Sequence, residues 1–98
     1  MTKDAGRVAG LSLLAVDLGL KTGLALYGED GRLRWYRSQH FAGIPQLKRG
    51  AYGLLNDLPE VAWLVVEGGG NLAAVWEREA RRRRLGLWLV DAGVWRDV

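Results

Sequence analysis

The sequence predicts an α/β domain built on a mixed five-stranded sheet with helices packed on it. Three observations lead there. Two runs, Leu11–Asp17 and Val61–Glu67, are short, apolar and end in an acid, which reads as buried strands. Asp30-Gly31 lies between two strand-like runs and marks a hairpin turn. Two longer stretches carry apolar residues at helical spacing, and each lies between strand-like runs.

The elements follow in order. Residues 1–10 are polar and read as a loose arm. Leu11–Asp17 is the first strand, Gly23–Gly28 the second and Arg32–Phe41 the third, together an antiparallel meander. In the third strand Leu33, Trp35 and Arg37 share one face, and Arg32, Arg34, Tyr36 and Ser38 the other. In Ile44–Leu58, the residues Ile44, Leu47, Ala51, Leu54, Leu55 and Leu58 recur at spacings of three, four and seven, giving a helix with one buried stripe. Pro45 suits its first turn, Gly50 and Gly53 either weaken it or allow close packing, and Pro59 stops it. Val61–Glu67 is the fourth strand. Three glycines interrupt the chain, and Asn71 is placed to cap a second helix carrying Leu72, Val75, Trp76 and Ala80 inward. Leu85–Asp91 is a fifth strand. The order is β-β-β-α-β-α-β, one domain over residues 1–98 with no linker or internal repeat. Trp63 and Trp88 fall inside strands read as buried, and Trp76 in a core stripe.

Composition narrows the class. Hydrophobic residues are 49% and charged residues 26% of 98, ordinary for a globular chain. There is no cysteine, hence no disulfide framework and no thiolate metal site. The one histidine, His40, makes no metal cluster and no hydrolase triad. No signal-peptide pattern opens the chain and no run is long enough to span a membrane, so a cytoplasmic location is expected. The net charge of +3 permits nucleic-acid binding without demanding it. Much of the excess sits in Arg81–Arg84.

Asp17 is the residue that asks for an explanation. Aspartate is a poor strand former, and a carboxylate among Leu, Ala and Val loses hydration unless something pairs with it. Turn chemistry alone explains an acid at a strand end. Yet Glu67 ends the fourth strand in the matching place. If the two strands lie parallel, joined by a right-handed crossover, both acids meet at the rim where open α/β sheets bind ligands. Two adjacent carboxylates favour a bridging cation, and Mg²⁺ takes one or two carboxylates plus waters and phosphate oxygens. Asp17 and Glu67 are therefore candidate metal ligands and catalytic residues. Asp91 is a third carboxylate at a strand end and a weaker catalytic candidate, since Asp before Ala-Gly is ordinary turn chemistry. Lys21 and Thr22 follow Asp17 closely and are candidates to touch a phosphate, with a solvated turn as the plain alternative. Arg81, Arg82 and Arg84 form a candidate phosphate-tracking patch, against the plain reading of arginines favoured by a helix C-terminus.

The stretch from Leu13 to Tyr36 resembles the first hairpin of RNase H-like nucleases, especially the RuvC-like Holliday junction resolvases. The residues that carry the likeness are Asp17, Gly19, Lys21, Thr22 and Gly23. "LVVEGGGNLAAV" is similar to that family's fourth strand, with Glu67 in the place of its second acid and Asn71 in the helix after it. "LVDAGVWRDV" is similar to the fifth strand and the turn beyond, with Trp95 and Arg96. The resemblance implies Mg²⁺- or Mn²⁺-dependent hydrolysis of nucleic-acid phosphodiesters by an in-line water, with branched DNA as substrate and Asp17 and Glu67 at two metal ions. The family adds one or two acids from a later helix. This sequence reaches residue 98 where that helix is due, so it is expected to be a short or C-terminally truncated member, with Asp91 as a geometric substitute and Asp97 too early to match. Two other readings stand beside it. One is a catalytically incomplete module that binds nucleic acid or a protein partner. The other is an ATP-binding fragment of the actin and sugar-kinase type, which also places Asp-x-Gly in a β-hairpin. A homodimer is a further expectation, since an exposed sheet edge or apolar face gains from cover.

Overall fold

A computed structural model describes residues 11–19 and 21–90. Its elements are β1 (Ser12–Asp17), β2 (Lys21–Tyr27), β3 (Leu33–His40), α1 (Ile44–Asn56), β4 (Val61–Glu67), α2 (Gly70–Arg83) and β5 (Gly86–Val90). All seven expected elements are present in the expected order. The expected arm at 1–10 and Asp91, Trp95, Arg96 and Asp97 lie outside the described residues.

The strands form one sheet in the order β3-β2-β1-β4-β5. The pairs β1–β2 and β2–β3 are antiparallel, while β1–β4 and β4–β5 are parallel. Each parallel connection carries a helix, as a crossover requires. The hairpin between β2 and β3 turns at Asp30-Gly31. Gly31 adopts φ +80°, and the Asp30 carboxylate accepts a hydrogen bond from the Arg32 amide at 2.9 Å. Pro45 stands in the first turn of α1, where its missing N–H costs nothing. The N-cap of α2 is Gly69, not Asn71. The chain is already helical at Gly70, so Asn71 lies inside the first turn.

The core lies between the two helices and one face of the sheet. Leu14, Val16, Leu24, Leu26, Leu64 and Val66 point inward from the strands, and Leu47, Ala51, Leu55, Val75, Trp76 and Ala80 meet them from α1 and α2. Strand alternation therefore sends every other residue to the opposite face. There Tyr36, Ala25, Ala15, Val65 and Trp88 form one row across all five strands. No described helix covers that face. Trp63 and Trp88, expected to be buried, are 50% and 64% exposed. β4 is an inner strand and β5 an edge strand, and only one face of each meets a described helix. Trp76, by contrast, is fully buried.

Candidate functional site

Parallel pairing brings the two acids together. Asp17 pairs with Glu67 at the last rung of the β1–β4 ladder, on central strands of the sheet. Neighbouring strands lie about 4.8 Å apart, so these carboxylates project side by side from the C-terminal rim. The ladder runs one step past them. The Leu18 amide donates to the Glu67 carbonyl, and the Gly68 amide donates to the Val90 carbonyl, both at 3.0 Å. These bonds fix the backbone on the far side of each acid.

Both acids belong to the uncovered face. Asp17, Glu67, Gly23, Ala25, Ala15, Val65 and Tyr36 line one open cavity of about 210 Å³. Its floor is made of small residues and its rim is acidic. Asp17 is exposed and Glu67 half-buried. Among the described residues no group of three or more His, Asp or Glu side chains is arranged to hold a metal ion. Two carboxylates are the whole described donor set. That set suits a hard cation which completes its shell with water and phosphate oxygens.

The other sequence candidates separate. Lys21 is exposed at the start of β2, two residues before Gly23, which pairs with Asp17. Thr22 is only 2% exposed. It alternates with Gly23 and so faces the helices, lining a separate cavity of about 150 Å³ with Gly19, Phe41 and Leu72. It cannot share a ligand with Asp17 from the uncovered face. The arginine run sits at the other end of the molecule. Helix α2 starts beyond Glu67 at the acidic rim and ends at Arg83. Fourteen helical residues span about 21 Å at 1.5 Å each.

Much of that run is also engaged. Arg81 pairs with Glu77 at 3.1 Å and Arg82 with Glu79 at 3.2 Å. Arg83 bonds Glu79 at 2.8 Å and reaches α1, donating to Asn56 Oδ1 at 2.8 Å and to the Tyr52 carbonyl at 3.2 Å. The guanidiniums of Arg82 and Arg83 lie over the Tyr52 ring. Burial pushes the Glu79 carboxyl up, but hydrogen bonds from Arg83 and Arg82 outweigh it and hold the group below its ordinary range. Arg84 is exposed and closes α2 in the left-handed conformation, φ +60°.

Tyr36 is the site residue whose role the sequence left open. Its neighbour Trp35 packs against the core, with the Arg37 guanidinium 4.0 Å above its ring. Tyr36 faces the acid pair. Counting from the Asp30-Gly31 turn would have missed it: an unbroken register from Tyr27–Leu33 sets Trp35 opposite Ala25, and the irregularity between Leu26 and Tyr27 brings Tyr36 there, with Ala25 opposite Ala15.

What the fold and the rim define is an α/β domain with two carboxylates joined by a parallel ladder. No family model matches the sequence, and no curated protein matches it. Among solved structures it is similar to a protein from Bacteroides thetaiotaomicron with an actin-like ATPase fold and unknown function. The TM-score is 0.60 at 12% identity, over 86% of this chain and 34% of that one. The chain thus spans about a third of that protein's length, and at this identity the likeness speaks for the fold alone.

Proposed function

We propose that this chain is a divalent-metal-dependent nuclease of the RNase H-like, RuvC-like class that hydrolyses phosphodiesters in branched DNA. The observation that carries the reading is the in-register Asp17–Glu67 pair at the C-terminal ends of two parallel strands, on a face no described helix covers. Turn chemistry explains one acid at one strand end. It does not explain two acids on the same rung, facing the same cavity.

Asp17 and Glu67 would hold Mg²⁺ or Mn²⁺, which supplies Lewis acidity and an activated water when bound. The protein's part is position. The β1–β4 ladder keeps the two carboxylates at a fixed spacing, and the backbone bonds at Leu18 and Gly68 lock the strand ends. Lys21 supplies positive charge for a phosphate. The open face admits a polymer that an enclosed pocket would exclude. Arg84, and Arg81 and Arg82 when released from their glutamates, would meet the nucleic acid about 20 Å away, an extra contact outside the reacting phosphodiester.

The test is cleavage of labelled four-way junction, flap and RNA–DNA hybrid with Mg²⁺ or Mn²⁺, beside Asp17→Asn and Glu67→Gln. Cutting of the junction that needs metal and disappears in both variants is the expected result. Salt-dependent binding without cutting would replace this reading with the non-catalytic module, consistent with a described donor set of only two acids. The likeness to an actin-like ATPase fold favours a second reading, ATP binding at the Asp17–Gly19 turn and Lys21. Calorimetric titration of the chain with Mg²⁺-ATP decides it, and heat of binding abolished by Lys21→Ala would support it.

A further inference from the structure

One side chain at the acidic rim has no part in the chemistry described so far. Tyr36 lines the same cavity as Asp17 and Glu67, and it is 63% exposed. Its hydroxyl oxygen lies 3.0 Å from the point that a β-carbon on Gly23 would occupy, and the Cβ of Asp17 lies 3.4 Å from that same point. The phenol thus reaches from β3 across β2 and ends beside Asp17. It does so because Gly23 has no side chain to stand in its way. Glu67 flanks Asp17 on the opposite side, from β4. Tyrosine hydroxyl, aspartate and glutamate follow one another across the rim. Among the described residues nothing accepts a hydrogen bond from that hydroxyl.

A rim of two carboxylates offers only acceptors. A phosphodiester brings anionic oxygens to it and needs donors as well as cations. The Tyr36 O–H is a donor on the Asp17 side of the pair. We propose that Tyr36 is a catalytic residue that donates a hydrogen bond to a non-bridging oxygen of the scissile phosphate, a bond made chiefly in the transition state. This rests on the nuclease reading. The non-bridging oxygens carry the transferring charge, and a donor aimed at them acts most strongly in the transition state. Gly23 is the second half of the device, since it keeps the path of the phenol clear.

The test uses the full chain with labelled four-way junction, comparing Tyr36→Phe, Tyr36→Ala, Gly23→Ala and Asp17→Asn. Steady-state cleavage is measured in Mg²⁺, and binding of the same DNA is measured by fluorescence anisotropy in EDTA. A hydrogen bond to a charged group corresponds to roughly a 10- to 100-fold effect. Tyr36→Phe is expected to lower kcat by that factor, to leave KM within about threefold and to leave binding in EDTA unchanged. Gly23→Ala should lower kcat in the same direction, because its β-carbon displaces the hydroxyl; Gly23 has no positive φ, so the variant folds without backbone strain. Tyr36→Ala should do little more than Tyr36→Phe. Wild-type cleavage with Tyr36→Phe within twofold of it overturns the inference and leaves the nuclease reading standing. A silent Tyr36→Phe with a raised KM in Tyr36→Ala also overturns it, and makes the ring a stacking surface. A wild-type chain that cleaves nothing removes both.

Discussion

The three consecutive glycines after Glu67 look equivalent in the sequence and are not equivalent in the structure. Gly68 adopts φ +123° and a β-carbon there would lie 3.0 Å from both Cβ and Cδ1 of Leu18. Gly70 adopts φ +73° with nothing within 4 Å of such a carbon, and Gly69 is extended with equally open space. Alanine at position 68 therefore meets two penalties. Backbone strain of this kind costs about 1–3 kcal/mol. Crowding a packed side chain costs about another 1–3 kcal/mol, and Leu18 packs against the core, so it has little room to swing. The stiffer unfolded chain returns only about 0.4–1 kcal/mol. The net loss for Gly68→Ala is about 1–5.5 kcal/mol, centred near 3, against the roughly 5–15 kcal/mol expected for a domain of this length. At 4–8 °C per kcal/mol for a small domain, the central value of about 3 kcal/mol lowers the melting temperature by roughly 12–24 °C. Gly70→Ala carries strain alone and should lose about 0.5–1.5 kcal/mol. Gly69→Ala should stay within about 0.5 kcal/mol of wild type, as a slightly poorer cap is offset by the unfolded-state gain. Urea unfolding of the three variants reads the series directly. Equal stabilities at 68 and 69 would refute the geometry assigned to the strand end that holds Glu67.

Further outcomes are expected. Trp76→Ala should cost about 3–5 kcal/mol and Leu64→Ala about 2–5 kcal/mol, both being fully buried, measured by chemical denaturation. Trp88→Ser, on the uncovered face, should cost less than about 1 kcal/mol, and a core-sized loss there would contradict the one-sided sheet. Arg83→Ala should lose about 1–2 kcal/mol because it ties α2 to α1 through Asn56 and Tyr52, while Arg81→Ala, 76% exposed, should lose under about 0.5 kcal/mol. Glu79 is held below its ordinary value of 4.5, so its contribution is complete above that pH and is lost as the pH falls through the lowered value. Arg83→Ala weakens that hold, so the stability difference between pH 7 and pH 3 should narrow. A difference as wide as in wild type would show that Arg83 does not hold Glu79.

The element order was readable because each signal was local. Apolar runs of strand length, Asp30-Gly31, Pro45 and the stripe from Leu47 to Leu55 each act over a few residues. The Asp17–Glu67 pairing was readable from matching strand ends and the rule that parallel strands need a crossover. What escaped was the side each residue faces. Trp63 and Trp88 sit in apolar runs that look buried on both faces, and only the placement of both helices on one side of the sheet exposes them. Thr22 followed Asp17 closely in sequence, yet one step of strand alternation turned it into the core. The arginine run looked like a ligand surface because a sequence shows charges without their partners. Glu77, Glu79, Asn56 and Tyr52 take up three of its four members.

The parallel ladder between β1 and β4 also makes ligand and fold one equilibrium. Residues 17 and 67 are far apart in the chain, and their rung exists only once the first crossover has closed. In the unfolded chain the two carboxylates are strangers. Anything held by both of them therefore acts as a reversible cross-link between the central strands. It stabilises the folded state by mass action, by about 2.7 kcal/mol at a hundred times its dissociation constant. A melting curve that moves with ligand concentration, and stops moving when either acid is neutralised, would report binding at the rim without any need to see a reaction.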